Sequence, residues 1–146
     1  MAEASSPQGG QRRFLIVRSG NVRCAIPVLS VRRVVRGLPL TLVPGSTRRT
    51  VGLTHHGGDP IVVLDLLELL GLGLGEATAQ AGVTVVARVG PAGTELVGLG
   101  VDEAIEVASL DLGALGPRAS GPVTGEMWVG GQLLRVLDPD VLGGVE

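Results

Sequence analysis

Two adjacent histidines, His55 and His56, are the side chains whose types and spacing come closest to a chemical site. They lie near Asp59 and Asp65 in an otherwise largely apolar run. Imidazole and carboxylate groups bind zinc, but a zinc site needs three or four converging ligands. Adjacent residues of a strand point to opposite faces, so the histidines converge only if the turn bends them together. The pattern favours a solvated hairpin tip, and a small metal-dependent enzyme that uses this turn is the minor alternative.

The other polar candidates have simpler interpretations. Asp65 and Asp138 each follow a Val-Leu pair and precede a short helical pattern, which predicts that each caps a helix rather than acting as a catalytic carboxylate. The run Gly71–Gly75 lacks the Lys-Ser/Thr end of a phosphate-binding loop. Cys24 is the only cysteine, and we expect a buried, inert thiol with no disulfide. The sequence therefore predicts no catalytic residue, no cofactor and no metal.

Composition narrows the class of partner. The 146 residues are 45% apolar and 18% charged, with a formal net charge of −2. A chain with one Trp, one Phe, no Tyr and no block of basic residues is poorly suited to bind nucleic acid. No run approaches the roughly 20 apolar residues of a membrane-spanning helix, and the polar start does not resemble a signal peptide. We expect a cytoplasmic protein that does not insert into membranes.

An internal repeat predicts the architecture that positions these residues. The segment Gly57–Asp65 aligns without a gap on Gly130–Asp138, an offset of 73 residues in a chain of twice that length. The same offset relates three further pairs, Val28 and Val101, Val31 and Ala104, and Val34 and Val107. Each copy contains short strand patterns, a Gly-Gly turn and an apolar strand that ends in Val-Leu-Asp. A duplicated small β unit is more typical of a binding module than of an enzyme.

The strand patterns predict an all-β protein with short helical turns. Hairpin signals recur at regular spacing, which indicates barrels or a sandwich, and two five-stranded barrels fit the number of strands. We predict a disordered start over 1–11 and a single domain over 12–146. Its halves are 12–72 and 82–146, and an exchange of strands between the two barrels is left open. Trp128 beside the second Gly-Gly turn is assigned equally to the core or to a contact surface.

Taken together, these segments resemble the CheW-like domain of bacterial chemotaxis systems. The resemblance spans roughly 13–143 and depends on order and spacing rather than on one motif. In the first half it is carried by Phe14-Leu15-Ile16-Val17, Ile26-Pro27-Val28, Val31-Arg32-Arg33-Val34, Val43-Pro44, Gly52-Leu53, and Gly58 through Val63-Leu64-Asp65-Leu66 to Leu70-Gly71. In the second half it is carried by Gly98 through Val107 and by Leu133 through Asp138.

The resemblance implies two SH3-like five-stranded barrels packed around a shared apolar interface. It implies a non-enzymatic scaffold that links the cytoplasmic tips of chemoreceptors to the regulatory domain of a CheA-type histidine kinase, at receptor arrays. By resemblance, the groove that receives the receptor contains Val28, Val31, Val34 and Val101. The hairpin that faces the kinase or the array contains Leu53, His56, Gly57 and Gly58.

The chain departs from the family pattern in this hairpin. The family sequence Gly-Val-Ile-Asn-Leu-Arg-Gly is replaced by Gly52-Leu53-Thr54-His55-His56-Gly57-Gly58, which puts Gly57 at the usual arginine position. An arginine offers a planar fork for paired hydrogen bonds, which glycine cannot supply. The sequence therefore leaves two interpretations: an adaptor whose partner has co-adapted, and an accessory adaptor that binds receptor but binds kinase weakly or not at all.

Overall fold

The structure is a computed structural model that describes residues 11–41, 50–72, 82–117 and 121–142. The predicted disordered start, apart from Gln11, and most of the linker between the repeat copies lie outside these ranges. The described residues form ten strands: β1 Gln11–Ser19, β2 Val22–Pro27, β3 Val31–Arg36, β4 Thr50–His56, β5 Asp59–Asp65, β6 Val83–Val89, β7 Glu95–Val101, β8 Glu103–Asp111, β9 Val123–Val129 and β10 Gln132–Leu137. The helical parts are α1 Leu66–Leu69 and 3-10 turns at Val28–Ser30, Leu112–Ala114 and Pro139–Val141.

The strands form two five-stranded sheets, which confirms the predicted all-β, two-barrel architecture. The first has the order β8-β1-β2-β10-β9, and the second has the order β3-β6-β7-β5-β4. The second barrel is therefore contiguous in sequence, whereas the first is built from the two ends of the chain. Each barrel takes strands from both repeat copies.

The repeat is reproduced in the strand pairing. Hairpins β4–β5 and β9–β10 have the same register, and the parallel contacts β5–β7 and β10–β2 match in the same way. The equivalent pairs are His55↔Pro60 and Trp128↔Leu133 in the hairpins, and Val63↔Gly98 and Val136↔Ala25 where parallel strands meet. In each comparison, both residues of a pair lie 73 positions from the corresponding residues of the other pair. The fold therefore has an approximate internal two-fold relationship.

The buried side chains form two clusters, one inside the first barrel and one between the barrels. The smaller fills the inside of the first barrel and consists of Phe14, Ile16, Ala25, Leu110, Met127, Leu134 and Val136. The larger draws side chains from both sheets, among them Leu15 and Ile26 of the first and Val85 and Leu99 of the second. This larger cluster is the apolar interface between the barrels, and its burial is the main force that keeps them joined.

Both aspartates at the ends of the repeated strands cap the turn that follows, as predicted. The Asp65 carboxylate accepts a hydrogen bond from the backbone N–H of Glu68 at 3.0 Å. The Asp138 carboxylate accepts one from the N–H of Asp140 at 3.1 Å, with Pro139 at the first position of that turn. Burial raises the pKa of Asp65 more than its backbone hydrogen bond lowers it. The two carboxylates are therefore structural caps.

The chain passes from the second barrel to the first between two consecutive strands. β7 ends at Val101 and β8 begins at Glu103. Between them, the N–H of Asp102 donates to the carbonyl of Arg18 at 2.9 Å, and the Asp102 carboxylate accepts from the N–H of Gly20 at 2.9 Å. Asp102 thus joins the β1–β2 turn to the crossover between the barrels.

Candidate functional site

The histidine hairpin does not assemble a catalytic or metal-binding cluster within the described residues. His55 is exposed and His56 is half-buried, and they occupy successive positions of β4. In the part of the chain that the structure describes, no three His, Cys, Asp or Glu side chains are placed to hold a metal ion. Cys24 is buried, as predicted, and burial raises the pKa of its thiol to about 12 although the charge of Arg135 opposes the shift.

A groove on the first barrel contains the first of the predicted receptor-contact residues. The 3-10 turns at Val28–Ser30, Leu112–Ala114 and Pro139–Val141 border a cavity of about 850 Å³, which both Val28 and Leu29 line. Leu29 is 94% exposed, which is extreme for a leucine in a folded domain. Pro27, which has no backbone N–H, ends strand β2 immediately before this turn and so places the two apolar side chains at the surface.

A bulge in β3 puts Val31 and Val34 on one face. In a regular strand, residues three apart point to opposite faces. Here Val31 pairs with Ala87 and Val34 with Val85, and the register shifts between them so that Arg32 has no partner on β6. Ala87 and Val85 belong to the cluster between the barrels, so both valines lie on that side of the sheet. Val31 is half-buried against the cluster, and Val34 is 45% exposed at its border.

The fourth predicted receptor residue, Val101, is placed in the core. It is 2% exposed and pairs with Val83 at the end of β7, inside the cluster between the barrels. Its repeat counterpart Val28 is half-buried in the turn that follows Pro27, whereas the second copy has Gly100 in place of Pro27 and continues as a strand. Val28 and Val31 are therefore half-buried and Val34 is exposed, whereas Val101 is not accessible from the surface.

The predicted kinase- or array-facing hairpin is a two-residue turn with an accessible tip. Gly57 and Gly58 are exposed and both have positive φ, 61° and 89°, as a type I′ turn requires. Leu53 and His56 are half-buried on β4, which lies at the opposite end of the sheet order from β3. The second barrel thus presents two separate candidate contact elements.

Trp128 is a surface residue that the sequence left undecided between core and contact. It is 72% exposed on β9 and pairs with Leu133, next to the ion pair between Arg135 and Glu126 at 3.2 Å. Trp128 is the repeat counterpart of His55, and the structure exposes both positions. An exposed tryptophan is costly in water and is typical of binding surfaces.

This geometry defines a two-barrel binding module with exposed apolar side chains around a groove and no assembled reaction centre among the described residues. The CheW-like domain family matches residues 13–144, so the chain belongs to that family, as its sequence resemblance indicated. The chain is therefore a chemotaxis scaffold or adaptor protein.

The chain is similar to two known proteins, one in sequence and one in fold. The chain is 28% identical over 111 residues to the protein FrzA of Myxococcus xanthus, covering 76% of this chain and 67% of FrzA. Its fold is similar to the crystal structure of the scaffolding protein TtCheW from Thermoanaerobacter tengcongensis, with a TM-score of 0.75, 18% identity, and coverage of 92% of this chain and 94% of that chain. In the described residues, no helix is long and apolar enough to cross a membrane.

Proposed function

We propose that this chain is a cytoplasmic, non-enzymatic adaptor that binds the tip of a chemoreceptor and links it to a CheA-type histidine kinase at receptor arrays. The observation that carries the proposal is the apolar surface formed by Val28, Leu29, Val31 and Val34. Apolar side chains at the centre of a contact and polar side chains at its rim are typical of protein-binding surfaces. The helical tip of a receptor supplies the apolar stripe that such a surface would accept.

The bulge in β3 supports this assignment of the receptor surface. Without it, Val31 and Val34 would face opposite sides of the sheet, and only one of them could touch a partner beside the barrel interface. With it, both lie along the same edge as the 3-10 turn that carries Val28 and Leu29. The turn that lines the groove on the first barrel thus leads directly into the edge strand of the second.

The kinase contact is proposed at the β4–β5 hairpin, around Leu53, His56, Gly57 and Gly58. Because the tip consists of two glycines, it supplies backbone and the flanking histidine rather than an arginine fork. This favours, as a second candidate, an accessory adaptor that binds receptor and has weak or no affinity for the kinase. The two candidates share the receptor surface and differ only at the hairpin.

The test is a side-by-side binding measurement of the purified chain with the cognate receptor tip and with the regulatory domain of the cognate kinase. Val34→Asp is expected to weaken receptor binding about tenfold or more, since it places a carboxylate in an apolar contact. The matched control is Val107→Asp, because Val107 is the repeat counterpart of Val34 and is also 45% exposed on the face that borders the barrel interface.

The outcomes separate the two candidates. Binding to both partners, with loss of receptor binding only in Val34→Asp, supports the coupling adaptor. Receptor binding without kinase binding supports the accessory adaptor. Absence of receptor binding by the folded wild-type chain, or equal losses in the two variants, would overturn the proposed receptor surface.

A further inference from the structure

The edge strand β3 carries an unusual concentration of positive charge. Arg32, Arg33 and Arg36 are all exposed within six residues, although the chain as a whole has a formal net charge of −2. None of the three forms an ion pair or a side-chain hydrogen bond with another residue in the described ranges. Guanidinium groups that form no ion pair within the described residues are available to a carboxylate of a partner.

The repeat shows that this charge is specific to one copy. β8 is the counterpart of β3 and has the same bulge, with Ile105 unpaired where β3 has Arg32. The position equivalent to Arg33 is Glu106, and the exposed valines Val34 and Val107 are equivalent. The framework and the exposed valine are therefore retained in both copies, whereas the flanking charge has the opposite sign at the Arg33 position.

Protection of a free sheet edge does not account for this arrangement. Charged residues on edge strands prevent unwanted pairing with other chains. Charge alone is enough to protect an edge strand in this way. Edge protection therefore does not explain why Leu29 is 94% exposed and Val34 is 45% exposed near the arginines. Val34 and Arg36 lie on the same face of β3, since they pair with Val85 and Val83, whereas Arg33 pairs with Val86 and lies on the other face. An exposed apolar side chain beside a cation that forms no ion pair within the described residues is instead the complement of an amphipathic segment with anions beside its apolar side chains.

We propose that β3 recognises a receptor segment in which carboxylates flank the apolar stripe, an inference that deepens the proposed function and rests on it. Arg32 and Arg36 are four positions apart in β3, roughly 13 Å at the usual rise of a strand. Two turns of an α-helix advance by about 11 Å. A helix lying along β3 therefore meets these arginines with acidic residues about seven positions apart, on either side of the apolar side chain that contacts Val34, and the apolar stripe continues past the first of them toward Leu29.

The experiment uses two synthetic helical peptides with the same Leu/Ile stripe, flanked at that spacing either by Glu or by Lys. The wild-type chain is expected to bind the acidic peptide about tenfold or more tightly than the basic one, with the difference shrinking as NaCl is added. The triple variant Arg32→Glu/Arg33→Glu/Arg36→Glu is expected to reverse the preference. The triple variant with Lys at the same positions keeps the positive charge and is expected to retain the preference for the acidic peptide.

The results also separate this inference from the proposed function. Equal binding of the two peptides to the wild-type chain, or binding of neither, overturns the inference even if the Glu variant fails to fold. A receptor tip that binds the wild-type chain and the folded Glu variant equally well overturns the inference and leaves the proposed adaptor intact. A receptor tip that does not bind the wild-type chain overturns the proposed function itself.

Discussion

Arg18 and Glu103 form a charged contact at the junction of the two barrels. Both Nε and Nη2 of Arg18 donate to Oε1 of Glu103 at 3.1 Å, and Nη1 donates to the carbonyl of Gly20 at 2.9 Å. Glu103 is the first residue of β8, directly after the crossover from the second barrel, and Asp102 lies 3.7 Å from the same guanidinium. Arg18 therefore fixes the point at which the chain returns to the first barrel.

Replacing Arg18 with Ala is expected to lower the free energy of unfolding by about 1 kcal/mol, because the pair is partly exposed and screened by solvent. A double-mutant cycle with Glu103→Ala, followed by urea unfolding, measures the coupling between the two side chains. We expect a coupling of about 0.5 kcal/mol that decreases with added salt. A coupling of zero at low salt would show that the contact only accompanies the crossover and does not stabilise it.

Gly98 marks a tight point inside the second barrel. A Cβ atom at this position would lie 2.9 Å from Cγ2 of Thr84 and 2.9 Å from Cγ2 of Val63, closer than van der Waals contact allows. In the first barrel the counterpart is Ala25, which is fully buried, so that barrel accommodates the extra methyl group. The two copies therefore pack the same parallel strand pair with side chains of different size.

Gly98→Ala is expected to destabilise the protein by about 1–3 kcal/mol through overpacking. The measurement is chemical denaturation monitored by the single tryptophan or by circular dichroism. Adding Thr84→Ser removes one of the two crowded methyl groups, so the double variant should recover part of the loss. If the double variant is no more stable than Gly98→Ala alone, crowding against Thr84 is not the cause.

Much of the fold could be predicted because the internal repeat of the sequence is also a repeat of strands and turns in the structure. The Gly-Gly turns, the Val-Leu-Asp strand ends and the caps at Asp65 and Asp138 are local signals, and each depends on residues close in the chain. The assembly of strands into barrels is a long-range property. No local pattern places β1 beside β8, which accounts for the open question of strand exchange.

The candidate site was harder to predict because it depends on departures from the repeat. The resemblance places Val101 and Val28 in the same groove, but Pro27 ends β2 in one copy while β7 continues through Val101 in the other. The bulge at Arg32 also cannot be predicted from the alternation of apolar and polar residues, because a bulge breaks the two-residue period of a strand. The counterpart of Trp128 was available in the alignment, but only the structure shows that the position faces outward.

The cap Asp65 is expected to make stability depend on pH. Because burial raises its pKa in the folded protein, the folded state holds the proton more tightly than the unfolded state does. Stability therefore falls as pH rises from the ordinary pKa of an aspartate to the raised pKa of Asp65. Asp65→Asn keeps a side-chain oxygen for the Glu68 N–H and removes the ionisation, so its stability relative to the wild type should increase through this window.

Urea unfolding of the two proteins from about pH 3.5 to about pH 7 tests this expectation. Asp65→Ala is the control for the cap itself and should lose about 1 kcal/mol at every pH relative to Asp65→Asn. Parallel pH profiles for wild type and Asp65→Asn would contradict a raised pKa at this position.

An arginine can be placed at its usual family position in the hairpin by the substitution Gly57→Arg, with a predictable loss of stability. Gly57 has a φ of 61° with open space around its Cβ position, so Gly57→Arg meets backbone strain but no steric clash. We expect a loss of about 1 kcal/mol in stability, the usual penalty for a side chain in this conformation. If the chain is an accessory adaptor that lacks the arginine contact, the variant should gain affinity for the kinase regulatory domain.

The second copy supplies the matched control for this substitution. Gly130 is the counterpart of Gly57, has a φ of 58° and is equally open, so Gly130→Arg carries the same strain and the same added charge. Both variants should lose similar stability in denaturation, but only Gly57→Arg should change kinase binding in a pull-down or calorimetric titration. Equal gains in the two variants would mean that added positive charge acts without specificity. Tight kinase binding by the wild-type chain that neither variant improves would mean that its partner has adapted to the glycine turn.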